Sequence, residues 1–114
     1  MINRPSTPMV PRAPFDLVAV TIGCSQVILA WTECENSTLG FHIERADGVG
    51  TACRFSRIGK TASHVIVYRD ECINPRKTYS YRVHAWNASG SSICSNVASV
   101  TTNPPDAEPS ADPE

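Results

Sequence analysis

The sequence predicts an all-β domain in which seven short strands pack as two sheets. Apolar and polar residues alternate with a period of two along most of the chain, which is the period of side chains on a strand. Gly, Asn, Asp and Ser interrupt this alternation at short and regular intervals, as turns do. No helical periodicity competes with the alternation. These features together indicate a β-sandwich.

The predicted strands follow one another with a turn or a short loop between them. We name them A, B, C, C′, E, F and G, and they cover residues 15–22, 26–33, 40–45, 52–58, 62–69, 79–87 and 96–102. In strand A the odd-numbered residues from Phe15 share one face. Residues 23–25 turn the chain into strand B, where Val27, Leu29 and Trp31 are predicted to face inward.

Strands C, C′ and E differ in how clearly their patterns assign an inward face. Gly40 opens strand C, and its odd-numbered residues, which include Ile43, alternate with polar ones. Strand C′ is centred on Phe55, and the residues at 59–60, glycine and lysine, are predicted to break it. In strand E the odd pair of valines at 65 and 67 competes with the even pair Ile66 and Tyr68. We favour the even pair because its parity continues to the following turn.

Strand F is the longest predicted strand and has the clearest alternation. Tyr79, Tyr81 and Val83 share its inward face, whereas Arg82, His84 and Trp86 share its outward face. Strand G follows a turn rich in serine and glycine and carries two valines. The predicted core consists of Leu29, Trp31, Ile43, Tyr79, Tyr81 and Val83.

Composition limits the classes of function that the chain can have. It has 114 residues, enough for one domain, and 41% of them are hydrophobic, which supplies one core. The formal net charge is −1 and the basic residues are scattered, so we expect no nucleic-acid partner. The longest apolar run, residues 27–31, is far too short to span a bilayer, so we expect no membrane insertion.

Proline marks both ends of the predicted domain, which covers residues 14–102. It recurs at every third position from Pro5 to Pro14, and this spacing favours polyproline II, so residues 1–13 are predicted to be a Pro-rich linker. Residues 103–114 combine prolines with acidic residues and are predicted to form a disordered tail. The start lacks the apolar segment of a signal peptide. We therefore expect a fragment of a longer chain, whose leader would lie outside it.

The sequence argues against chemistry of its own. It contains none of the glycine-rich, zinc-protease or serine-nucleophile motifs, and its histidines stand singly on strands. Two of them, His42 and His84, make no closed metal site by themselves. We therefore predict that the protein is not an enzyme and that it has no metal ion or cofactor.

Four segments carry a resemblance to a known family. They are residues 27–32 with their tryptophan, 40–45, 70–75 with the Thr-Tyr pair at 78–79, and 81–92. On these segments residues 14–102 resemble a fibronectin type III domain, and residues 40–45 resemble strand C of bacterial members. The resemblance implies a seven-stranded immunoglobulin-like β-sandwich with sheets A-B-E and G-F-C-C′. It also implies a tyrosine corner, in which the Tyr79 hydroxyl reaches a backbone group near Ile73.

The resemblance implies a non-catalytic module, present as a monomer, that spaces or presents neighbouring domains of an extracellular or cell-surface protein. The alternative is a module that recognises a protein or a glycan through the outer face of the G-F-C-C′ sheet. An outward tryptophan flanked by cations is a typical interface anchor. We call this surface the Trp86 face, and its predicted members are His42, Glu44, Arg82, His84 and Trp86.

The chain has five cysteines, ten or more residues apart, which suits disulfides in an oxidising compartment better than zinc. In the implied topology Cys24, Cys53 and Cys72 lie near one pole of the sandwich, and Cys34 and Cys94 lie near the other. We predict a Cys34–Cys94 bridge and either Cys24–Cys72 or Cys53–Cys72. Five reduced thiols are the alternative in a reducing compartment.

Overall fold

A computed structural model describes residues 9–34, 38–49 and 54–105 of the chain. Its strands are β1 (Phe15–Ile22), β2 (Gln26–Thr32), β3 (Gly40–Asp47), β4 (Ser56–Ala62), β5 (Val67–Asp70), β6 (Thr78–Asn87), β7 (Gly90–Ser91) and β8 (Ala98–Thr101). Among the residues in these three ranges, no helix has the length and apolar character needed to cross a membrane.

The strands form two antiparallel sheets. The smaller sheet has the order β1-β2-β5, and the larger has the order β4-β3-β6-β7, with β8 also paired to β6. The predicted strands A, B, C, C′, E and F correspond to β1 to β6, and strand G corresponds to β8. The two-residue strand β7 lies in what was predicted to be a turn. The structure thus confirms the β-sandwich and its division into sheets A-B-E and G-F-C-C′.

The core lies between the two sheets and is built from the inward faces of β2, β3 and β6. All six residues of the predicted core lie there, and each is at most 3% exposed. Trp31 of β2 meets Phe41 of β3 edge to face, with ring centroids 5.4 Å apart. This geometry favours contact between the positive edge of one ring and the negative face of the other.

The crossover before β6 is fixed by Tyr79. Its hydroxyl accepts a hydrogen bond of 2.8 Å from the backbone N–H of Asn74, next to Ile73. The ring is 2% exposed, so the side chain fills the rim of the core while its polar end holds the turn.

The predicted end of strand C′ was wrong. Strand β4 continues through Gly59 and Lys60 to residue 62, and the first residues of the prediction, 52–53, lie outside the described residues. The glycine is explained by a neighbour across the sandwich rather than by a break. A Cβ at Gly59 would collide with the ring and hydroxyl of Tyr68, so the position needs glycine to let that ring approach the backbone.

Strand E has the inward face that we favoured, but it is shorter than predicted. Ile66 and Tyr68 pack against the core, whereas Val65 and Val67 are exposed. The strand begins only at Val67 because residues 63–64 form a turn.

The two ends of the described chain leave from opposite poles of the sandwich. At one pole the Asn87 side chain donates a 3.0 Å hydrogen bond to the carbonyl of Met9. At the other, the Asn103 side chain donates a 3.0 Å bond to the carbonyl of Gly23. Asn103 also accepts a backbone bond from Arg76. Both ends are therefore tied to turns of the domain.

Candidate functional site on the outer face of the larger sheet

The strand register brings the predicted members of the Trp86 face together. In the pairing of β3 with β6, His42 lies opposite His84, Glu44 lies opposite Arg82, and Gly40 lies opposite Trp86. All five side chains lie on the sheet face away from the core, because their parity is opposite to that of the buried residues. They do not stand free in solvent, however, and His84 is only 8% exposed.

Trp86 is half-buried against its neighbours. Its ring stacks on the His42 imidazole, with centroids 5.7 Å apart and planes inclined by 11°. It also lies across Gly40, where a Cβ would come within 2.9 Å of Trp86 Nε1. That nitrogen is buried and has no hydrogen-bond partner among the described residues. The indole is therefore partly exposed, and its buried nitrogen offers a partner no polar group.

His42 and His84 form a close pair. His42 Nδ1 lies 3.2 Å from His84 Nε2, so one ring donates its N–H to the other. Burial lowers the pKa of both imidazoles, and the charge of nearby Arg57 lowers both further. Glu44 opposes these effects at both sites. Both rings are therefore held in the neutral form, the form that hydrogen-bonds to its partner or binds a cation.

Glu44 and Arg82 form an ion pair beside the histidines. Arg82 Nε donates to Glu44 Oε1 over 2.5 Å, and the guanidinium lies 4.1 Å above the centre of the Phe55 ring. Glu44 Oε2 has no hydrogen bond among the described contacts. The arginine thus fixes the carboxylate while leaving one oxygen for another ligand.

Cys94 is a member of this face that the sequence analysis missed. Ser92 and Ser95 each pair with β6 twice. The Ser92 N–H donates to the Ala85 carbonyl, and its hydroxyl accepts from the Ala85 N–H. Ser95 does the same with Val83. The two residues between these serines, Ile93 and Cys94, therefore stand opposite the single residue His84. This arrangement is a β-bulge.

The bulge places the Cys94 thiol beside groups from two other strands. One ligand atom from each of Glu44, His84 and Cys94 lies within 4.8 Å of the other two. Burial raises the pKa of this thiol, so it is protonated at neutral pH. A regular hairpin would have set Ile93, not Cys94, against His84. The sequence could have placed Cys94 on this face only if it had carried a recognisable signal for the bulge.

The predicted disulfides are absent, because Cys24, Cys34, Cys72 and Cys94 are free thiols. Cys34 donates a hydrogen bond of 3.2 Å to a backbone carbonyl, and Cys94 faces the histidines instead of Cys34. Cys24 and Cys72 do lie at the same pole, since their strands pair in register there. The fifth cysteine, Cys53, lies outside the described residues.

A cleft lies between β4 and β5. It is an open cleft of about 400 Å³ that includes Arg45, Tyr68 and Asp70 in its lining. Its central charges already satisfy one another, because Asp70 Oδ2 accepts from Arg45 Nη1 at 3.0 Å and from the Tyr81 hydroxyl at 2.7 Å. This arrangement closes the rim of the core and leaves no unpaired charge at its centre.

Comparison with solved structures decides the fold family. The chain is similar to domains A168–A170 of titin, with a TM-score of 0.73 and 22% identity over 83% of this chain and 33% of that chain. It is also similar to the protein FN3tt, with a TM-score of 0.72 and 21% identity over 84% of this chain and 98% of that chain. The chain has the fibronectin type III fold.

Another fibronectin type III structure, the chicken CNTN1 FN1–FN3 domains, matches with a TM-score of 0.68 and 19% identity. The match covers 83% of this chain and 33% of that chain. The present chain thus spans one third of the titin and CNTN1 structures, which contain several domains each. No family model matches the sequence.

Proposed function

We propose that the chain is a non-catalytic fibronectin type III module that spaces or presents neighbouring domains in an extracellular or cell-surface protein. The observation that carries the proposal is the path of its ends. Met9 is held beside Asn87 at one pole, and Asn103 is held beside Gly23 at the other. A module whose ends leave from opposite poles adds its own length between its neighbours.

The length that it adds follows from the central strand. Strand β6 has ten residues and runs from pole to pole, so the two ends are about 30 Å apart at a rise of about 3.4 Å per residue. A flexible segment could not hold such a fixed separation. The fold also occurs in chains of several domains, such as the titin and CNTN1 structures. These facts support a spacer, and we propose that it acts as a monomer.

The spacer function is tested by measuring the end-to-end distance and the self-association of the isolated chain. Spin labels on non-natural residues at positions 10 and 105 avoid the cysteines, and both sites are exposed. Double electron–electron resonance should give one narrow distance distribution near 30 Å, and sedimentation velocity should give a monomer. A broad distribution, or one centred below about 20 Å, would overturn the proposal because the pole-to-pole span is set by the strand rise.

A second candidate function is recognition of a protein, and an exposed apolar surface favours it. On the outer face of the smaller sheet, Val18, Val20 and Val67 are 53%, 53% and 51% exposed. Val18 pairs with Ala30, which in turn pairs with Val67, so the apolar side chains are contiguous. We call this surface the valine face. Contiguous exposed apolar surface of this kind is typical of interaction sites.

The Trp86 face is the alternative surface, and it suits a glycan because a sugar ring can stack on a partly exposed indole. Titrating the protein against panels of glycans and cell-surface proteins, followed by tryptophan fluorescence and calorimetry, separates the candidates. Trp86→Ala should abolish binding at the Trp86 face only. The double variant Val18→Thr/Val20→Thr keeps the side-chain shapes and should abolish binding at the valine face only. Binding that survives both changes would exclude both surfaces.

A further inference from the structure

We propose that Glu44, His84 and Cys94 form a binding site for a divalent metal ion such as zinc. His42, whose Nδ1 lies 3.2 Å from His84 Nε2, is the candidate fourth ligand. The four side chains come from β3, β6 and the bulged segment before β8. Imidazole nitrogen, thiolate sulfur and carboxylate oxygen are the donor types that zinc takes in proteins. This inference does not depend on the spacer function.

The distances suit one ion. Bonds of about 2.0–2.3 Å from zinc to nitrogen, oxygen and sulfur place neighbouring tetrahedral donors about 3.3–3.6 Å apart. The 3.2 Å between His42 Nδ1 and His84 Nε2 is close to that spacing. The donor atoms of Glu44, His84 and Cys94 lie within 4.8 Å of one another. They would therefore move about 1 Å closer together when the ion binds.

Two of the proposed ligands supply negative charge to the ion. As the sulfur–metal bond forms, the Cys94 thiol gives its proton to water and becomes a thiolate. The thiolate and the Glu44 carboxylate together neutralise a divalent ion. Because the same carboxylate also pairs with Arg82, the ion, its two anionic ligands and the guanidinium together carry one positive charge. Glu44 Oε2 is then the donor oxygen.

The surrounding contacts hold the ligands in place, as the outer partners of metal sites do. Arg82 orients the carboxylate through its 2.5 Å bond to Oε1. Ser92 and Ser95 bond to the backbone on either side of His84 and so hold the bulge against β6. An ion bound here would link three neighbouring segments of the sheet, which is the role of a structural metal.

The test uses the full 114-residue chain, without a histidine tag and under reducing conditions, titrated with Co²⁺ and then with Zn²⁺. The expected result is one equivalent of Co²⁺ that shows a thiolate-to-cobalt charge-transfer band and the ligand-field bands of a four-coordinate ion. Zn²⁺ should displace it stoichiometrically. Zn²⁺ should also raise the melting temperature of the protein, since a ligand that binds only the folded state stabilises it.

Variants assign the ligands. Cys94→Ser should remove the charge-transfer band, whereas Cys34→Ser, which changes an exposed free thiol, should leave it intact. Glu44→Gln should weaken the affinity for the metal by at least about 10-fold. Losing a ligand should cost at least as much as losing an outer partner of a ligand, which costs about 10–100-fold. The Glu44 side chain is 17% exposed, and the glutamine amide oxygen can still accept from Arg82, so we expect this variant to keep the fold. A wild-type protein without the band, or a band that survives Cys94→Ser, would overturn the site.

Discussion

Asp70 is expected to be among the most sensitive polar residues of the fold. It ends β5, is 3% exposed, and accepts hydrogen bonds from three groups. These are the Tyr81 hydroxyl at 2.7 Å, Arg45 Nη1 at 3.0 Å and the backbone N–H of Cys72 at 3.1 Å. Changing Asp70→Ala removes the acceptor for all three at once.

The cost follows from what each donor loses. Tyr81 is fully buried, so its unpaired hydroxyl costs about 1–3 kcal/mol. Arg45 keeps a 3.0 Å bond to the Cys72 carbonyl and its side chain is 21% exposed. Losing its ion pair with Asp70 therefore costs well below the value for a fully buried pair, which is about 3–5 kcal/mol. With about 2 kcal/mol for the Tyr81 hydroxyl and about 1–2 kcal/mol for the Arg45 ion pair, the sum is about 3–4 kcal/mol. That is a large part of the about 5–15 kcal/mol that stabilises a typical domain.

Urea unfolding followed by tryptophan fluorescence and far-ultraviolet circular dichroism measures this loss. With a slope of about 1–3 kcal/mol per molar urea, Asp70→Ala should lower the midpoint by at least about 1 M. The neighbouring Glu71→Ala is the matched control. Its ion pair with Arg69 is 3.9 Å long and exposed, so the change should stay within about 0.5 kcal/mol. An Asp70→Ala protein within about 1 kcal/mol of wild type would refute the reasoning.

Three further predictions concern the aromatic residues of the core. Trp31→Ala should lower the free energy of unfolding by about 3–5 kcal/mol in the same urea assay, because it leaves a large cavity. Tyr79→Phe should cost only about 1 kcal/mol, since the freed N–H belongs to the exposed residue Asn74; a loss above about 3 kcal/mol would contradict this. The pKa of Tyr81 is raised by burial, then by its hydrogen bond to Asp70. The stabilisation that the Tyr81 hydroxyl gives is therefore present below about pH 10 and lost as pH rises further. The free energy of unfolding should fall less between pH 9 and 11 in Tyr81→Phe than in the wild type. An equal fall in the two proteins would contradict this prediction.

Much of the fold could be predicted because alternation along one strand reports directly which face is buried. The bounds of β1 and the inward faces of β2, β3 and β6 follow from period-two patterns alone. The even parity of strand E was also recoverable, since it continues to a turn whose position was clear. These features depend on residues close together in the sequence.

Gly59 and Asp70 show what alternation cannot report. A glycine in a strand pattern predicts a break or a close approach, and only the position of Tyr68 on another strand decides between them. Likewise, an aspartate at the end of a strand is usually solvated, and its burial here depends on Arg45 and Tyr81. The deciding contacts in both cases join residues far apart in the chain.

The proposed metal site could be predicted only in part from the sequence. Parity and register together predict that His42, Glu44 and His84 share one face, because two paired strands suffice to place them. Cys94 joins them only because one extra residue is inserted between Ser92 and Ser95, which changes the side of the sheet on which the next residue falls. A single bulge therefore turns a pair of histidines that cannot close a site into three gathered donors with a second histidine beside them. If Cys94→Ser leaves Co²⁺ binding unchanged, the bulge serves the backbone alone.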